Sequence, residues 1–133
     1  MEIDFKTKIS ALNPRQREWF ATAMVGMMLA DGNIDRSEMD FVLKLIQLVH
    51  DPEIIGRLKK FIQFQTMPPL GSPVGINRKL GMTMILDLIR IAVADQDFDK
   101  KEKEMIQVVG KNLGFNPQEV DQLVLYGFEL MAQ

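Results

Sequence analysis

Ala30 to Glu38 reads ADGNIDRSE, and Ala94 to Glu102 reads ADQDFDKKE. Alanine, two aspartates and a glutamate recur at the same spacing, 64 positions apart. Each stretch closes a run of apolar residues and opens a run with helical periodicity, so each is a polar loop between two helices. The chain on either side reads as two copies of one helical unit.

Before the first loop, Asn13-Pro14 is a helix start: Asn caps the free N–H groups, and Pro occupies the first helical position, where no donor is needed. From Pro14 to about Ala30 the apolar residues (Trp19, Phe20, Ala23, Met24, Val25, Met27, Met28, Leu29) come to cover the whole circumference. A helix apolar all round is a buried helix. Gly26 within it costs ~1 kcal/mol against alanine, which predicts close packing by a crossing helix. After the loop, Asp35 caps a helix to about Val49, with Phe41, Val42, Leu45, Ile46, Leu48 and Val49 inward. Asp51-Pro52-Glu53 opens a third helix to about Gln65, with Ile54, Ile55, Leu58, Phe61 and Ile62 inward.

Thr66 to Ile76, TMPPLGSPVGI, contains three prolines and two glycines, a density that excludes regular structure. It reads as a crossover linker, with a partner-binding groove as the alternative use of a long loop. Asn77 then caps a second broadly apolar helix to about Ala94. Asp99 caps a helix to Leu113, which Gly114 ends as a left-handed C-cap, and Asn116-Pro117 opens a last helix to about Met131. The caps fall at 13, 35 and 51, then at 77, 99 and 116, with intervals of 22 and 16, then 22 and 17. This punctuation predicts an internal duplication. The expected fold is all-α: one domain, 1–133, of six helices, or seven with a short leading helix up to Leu12. Two pseudo-symmetric three-helix repeats, about 13–65 and 77–131, flank the connector 66–76, and the two all-apolar helices meet at the centre.

Composition narrows the chemistry. Hydrophobic residues make up 47% and charged residues 26% of 133 residues, and the net charge is −2. That balance leaves no basic footprint for nucleic acid. Cysteine is absent and His50 is the sole histidine, so disulfides, thiol redox chemistry and an ordinary zinc site are excluded. A metal bound by one chain would be a hard cation held by oxygens, calcium or magnesium. The first ten residues, MEIDFKTKIS, hold no apolar signal-peptide core. No apolar run approaches the roughly 20 residues of a transmembrane helix, and a cytoplasmic location is expected.

The acids of the two loops admit two readings. Asp35 with Glu38, and Asp99 with Glu102, stand as N-cap and N3, the geometry of a capping box. Asp31 and Asp95 are not explained that way. They follow the C-termini of the most apolar helices, where the helix dipole disfavours a negative charge. A turn accounts for Asp31-Gly32; a cation accounts for both halves. Asp31, Asn33 and Asp35, like Asp95, Asp97 and Asp99, place oxygens at every second residue. The EF-hand pattern fails, however. With Asp31 as position 1, the Gly position holds Arg36 and the bidentate Glu position holds Val42; the second loop has Lys100 and Ile106 there.

An apolar helix ending in Ala-Asp-Gly, an acidic loop, and a Glu early in the next helix resemble the TerB-like family, named for a tellurite-resistance protein. The pattern is strongest in LADGNIDRSEMDFV, Leu29 to Val42, and weaker in VADQDFDKKEKEMI, Val93 to Ile106, where Gln96 replaces glycine. The resemblance implies an all-α fold and a divalent-cation site lined by Asp31, Glu38, Asp95 and Glu102, with Asn33, Asp35, Asp97 and Asp99 secondary. It further implies a stress-response role exercised through partner proteins, including at a membrane surface.

Remaining candidates read as structure. Met24, Met27, Met28, Met82 and Met84 sit at core spacing. His50 lies at a helix C-terminus, where positive charge is favourable, and Trp19 and Tyr126 are core or rim. The functional expectation is a non-enzymatic TerB-like module binding a divalent cation, a protein partner, or both through its acidic loops. A purely structural interaction domain with the acids as caps ranks second, and a carboxylate-metal hydrolase third.

Overall fold

The computed structural model describes residues 6–30, 36–47, 49–73, 75–93 and 100–131, without the side chains at 36–38, 41, 45, 93 and 131. It is all-helical over these residues, with α1 (Pro14–Ala30), α2 (Arg36–Gln47), α3 (Pro52–Gln63), α4 (Arg78–Val93), α5 (Lys100–Asn112) and α6 (Pro117–Met131). Among the described residues of the leading segment, 6–12, the regular structure is a single 3-10 turn, Ile9–Ala11, and residues 1–5 of the expected leading helix lie outside the described residues. The segment is too short for α-helical nucleation to be favourable by itself.

Helix boundaries follow the capping chemistry. Asn13 and Gln16 bond reciprocally, each side-chain oxygen accepting the other's backbone N–H at 2.9 Å. Asn116 and Glu119 do the same at the start of α6, at 2.8 and 3.0 Å. Asn77 accepts from the Leu80 N–H, and Asp51 from the N–H groups of Glu53 and Ile54. The expected caps at Asp35 and Asp99 lie outside the described residues. At the other ends, Gly114 adopts φ +89. The Phe115 N–H donates to the Gly110 carbonyl and the Gly114 N–H to that of Lys111, a Schellman closure. Gln65, at φ +50, closes α3 with the same pair of bonds. This ends α3 at Gln63, two residues short of the sequence expectation.

Twelve consecutive residues of α1, Trp19 to Ala30, are buried. Such a helix needs neighbours on every side, and α1 packs against α2, α3, α4 and α5. α2 and α3 pack on each other, as do α4, α5 and α6, and α1 joins the two groups. Met24, Met27, Met28 and Met84 belong to the core, as expected. Met82 does not: it is 40% exposed on the outer side of α4, because that helix, unlike α1, keeps a solvent face.

The connector 66–76 has no regular structure and runs antiparallel along α1. Gln16 donates from Nε2 to the Gly75 carbonyl at 2.9 Å, Trp19 from Nε1 to the Gly71 carbonyl at 2.8 Å, and the Met67 sulfur lies beside Gly26. It therefore delivers α4 to the end of the bundle at which α1 starts. α6 runs parallel to α4, with Arg78 paired to Glu119 near their starts and Ile89 against Gly127 near their ends. α5 returns between them in the opposite sense, bringing Leu113 to Gly81.

Two glycines test how tightly these crossings fit. A β-carbon at Gly127 would lie 2.7 Å from Ile89 Cγ2 and 3.4 Å from Ile89 Cβ, on a branched side chain with one strongly preferred rotamer in a helix. A β-carbon at Gly26 would meet the Met105 ε-methyl at 2.6 Å, the free end of a flexible chain. Gly127→Ala is expected to destabilise by ~1–3 kcal/mol through overpacking. Gly26→Ala is expected to be neutral or stabilising, because Met105 moves aside and helix propensity improves by ~1 kcal/mol. Denaturant unfolding of the two variants checks the contrast.

Candidate functional site

α1 and α4 end in Ala30 and Val93, and the two acidic stretches follow directly. Asp31, Asn33 and Asp35 fall within 31–35, and Asp95, Asp97 and Asp99 within 94–99; all six lie outside the described residues. Glu38 lies in the first turn of α2, its side chain also outside the description. Glu102, in the first turn of α5, is fully described and only 3% exposed. A glutamate at such a position ordinarily projects into water. This one is sunk into the protein, where an ionised carboxylate must be compensated. Early α5 is held against late α1 by Met105 packing beside Gly26, so Glu102 enters the bundle near the far end of α1. Among the described residues alone, no three acidic or histidine side chains cluster as a metal site.

A second buried carboxylate belongs to a site that the sequence reading missed. Asp87, in the middle of α4, is 0% exposed. Its Oδ1 accepts from the Lys6 N–H at 2.9 Å and from Arg90 Nη1 at 2.9 Å, and its Oδ2 accepts from the Thr7 N–H at 2.8 Å. Arg90 stands one helical turn later and is itself mostly covered. The leading segment is thus fastened to α4 by a charged, fully bonded carboxylate. The signal was present in LDLIRI, 86–91: an acid inside an apolar run must be paired if the helix is buried.

Two concave surfaces complete the candidates. One, of about 340 Å³, lies where Pro68, Pro69 and Leu70 of the connector pass α1 and α3 beside Arg57. Its charges are satisfied internally, since Arg57 Nη2 donates to Glu18 Oε1 at 2.5 Å. The other, of about 600 Å³, is a trough between α5 and α6 with Ile106 and Val124 among its lining residues. Leu125 there is 64% exposed. His50 has φ +61 and stands in the turn between α2 and α3, away from the two acidic stretches in sequence. Trp19 is buried and spends its only donor on the connector, and Tyr126 is half exposed at the rim.

The family model described as Tellurite resistance protein TerB matches residues 76–125. Over these residues the chain is similar to that family, and the match runs from the end of the connector through α4 and α5 into α6. It covers the half whose loop carries Gln96 in place of glycine, whereas the short motif is better preserved in the first half. No curated protein and no solved structure gives a match to the chain. None of the described helices is long and apolar enough to cross a membrane.

Removing the Asp87 carboxylate takes the acceptor from two backbone donors and one bond from the Arg90 guanidinium. Asp87→Ala is expected to lower stability by ~3 kcal/mol and to release the leading segment. Urea unfolding measures the first effect. Faster hydrogen exchange at the Lys6 and Thr7 amides measures the second.

Proposed function

We propose that the chain is a non-enzymatic TerB-like module that binds one divalent cation, calcium or magnesium, through Asp31, Glu38, Asp95 and Glu102. Asn33, Asp35, Asp97 and Asp99 serve as secondary oxygens, and occupancy is signalled to a protein partner. The family match supports a tellurite-resistance-like module. The observation that carries the cation reading is the burial of Glu102 at the start of α5. A second observation agrees with it: α1 and α4 pack together and start from the same end of the bundle. Their last described residues, Ala30 and Val93, therefore both lie toward the opposite end. On this reading the acids of the two stretches converge, and like charges in one site favour a cation. The matched spacing of the helix starts supports treating the two loops as equivalent halves of one arrangement.

The capping reading is the alternative, and it too has support. Asn13 with Gln16 and Asn116 with Glu119 form reciprocal boxes in this chain, so Asp35 with Glu38 and Asp99 with Glu102 can do likewise. The Glu119 carboxylate, however, is partly exposed, whereas Glu102 is buried.

Calorimetric titration of chelator-stripped protein with calcium and with magnesium separates the two. Cation binding predicts saturable heat and a raised melting temperature, with about 2.7 kcal/mol of added stability at a hundredfold excess over Kd. Both effects should be lost in the Asp31→Asn/Asp95→Asn variant. No heat and no melting shift at millimolar cation would assign the acids to capping.

A further inference from the structure

α5 and α6 form a hairpin on the side of the α4–α6 group away from α2 and α3, and its outer seam is unusually apolar. Val108 and Leu125 are 49% and 64% exposed, and Phe128, three residues on from Leu125, is 39% exposed. Along this seam the trough of about 600 Å³ ends at Gln107, whose Nε2 donates to Asp121 Oδ1 at 2.9 Å. A second concavity of about 470 Å³ continues from Gln107 to Lys111 and Phe115. An apolar surface of this extent, rimmed by charge, marks a docking site rather than chance exposure.

The charges along the seam say what fits. Lys100, Glu104, Gln107 and Lys111 follow one another at four, three and four residues, a single stripe of α5. Lysines therefore stand at both ends. The acids Glu104 and Asp121 stand between them, and Asp121 is occupied by Gln107. From Lys100 to Lys111 the stripe spans roughly 16 Å, at ~1.5 Å per residue, which matches three turns of a second helix. A two-fold contact with another copy would oppose lysine ends to lysine ends, whichever way the axis lies. A flat anionic bilayer would not fill a concave seam and would meet the acids at its middle.

We propose that the α5–α6 seam receives an amphipathic helix of about three turns from another protein, its apolar stripe in the trough and acidic residues at both ends. This is the helix-in-groove mode, with apolar side chains supplying affinity and the end charges setting orientation and partner choice. It is argued independently of the cation reading, from residues of α5 and α6 that are not among the proposed ligands.

The test uses two fluorescein-labelled designed peptides of about 15 residues, each with leucines at helical spacing, one ended by glutamates and one by lysines. Fluorescence anisotropy at low ionic strength is expected to show the glutamate-ended peptide binding at least about tenfold more tightly. Leu125→Glu should weaken that binding by about tenfold or more. Lys111→Glu should narrow the preference between the peptides. Val108→Glu, at the other concavity, repeats the test should Leu125→Glu alter the melting curve. Equal affinity for the two peptides, no binding of either, or indifference to both seam variants overturns the proposal. Sedimentation showing self-association that Leu125→Glu abolishes would overturn it in favour of a second copy. Seam-dependent binding to vesicles containing phosphatidylserine would overturn it in favour of a lipid surface.

Discussion

Burial of α1 on all sides is the constraint from which the rest of the architecture follows. From Trp19 to Ala30 the helix offers water no polar face, and a surface of that kind is stable only when it is enclosed. Enclosure takes four neighbours, and they come from both halves of the chain: α2 and α3 on one side, α4 and α5 on the other. The connector exists to make this possible. It returns along α1 from Met67 to Gly75, so that α4 can begin beside the start of α1 rather than beside the end of α3. The long loop is thus held in place by side-chain donors of the helix it serves, Gln16 and Trp19.

Where irregular backbone meets the bundle, buried polar groups fasten it. Trp19 holds the connector and Asp87 holds the leading segment. Each tie answers a specific cost, because an unbonded indole N–H or carboxylate in the interior would be strongly unfavourable. Close approaches at Gly26 and Gly127 perform the equivalent task between helices. The α5–α6 hairpin is different. Its inner side is closed, with Gly127 against Ile89 of α4, Val120 against Gly110 of α5 and Leu123 buried, while its outer side keeps Val108 and Leu125 in water. Packing alone does not require those residues, and that distinguishes the seam from the core.

Helix number and limits were legible in the sequence because caps are local. Asn13, Asp51, Asn77 and Asn116 each act on backbone groups two or three residues ahead, so the signal is contained in a short window. Gly114 was legible for the same reason. The role of Asp87 was only half legible: the need for pairing and Arg90 stand in LDLIRI, but its other partners, the Lys6 and Thr7 N–H groups, lie some 80 residues away and periodicity carries no trace of them. Met82 was misplaced because a broadly apolar helix does not reveal which stripe will face solvent. For the candidate site, Glu102 was singled out from its spacing to Asp99, but its burial follows from the packing of α5 on α1, a tertiary event. The TerB-like character was recognised from the better-preserved motif of the first half, yet the family match lies on 76–125. That range includes the second acidic stretch, where Gln96 replaces glycine.

Native-state hydrogen exchange, residue by residue, reaches the enclosing of α1 most directly. If α1 is the helix on which both groups depend, its amides from Trp19 to Ala30 open only when the whole molecule unfolds. They should show the largest protection in the chain, equal to the global unfolding free energy and unchanged by small amounts of denaturant. α4 should be next, and α6, at the outside of its group, lower. Exchange of the α1 amides through local opening, at a free energy below that of α5 or α6, would contradict this. It would mean that the two groups hold together without the helix between them.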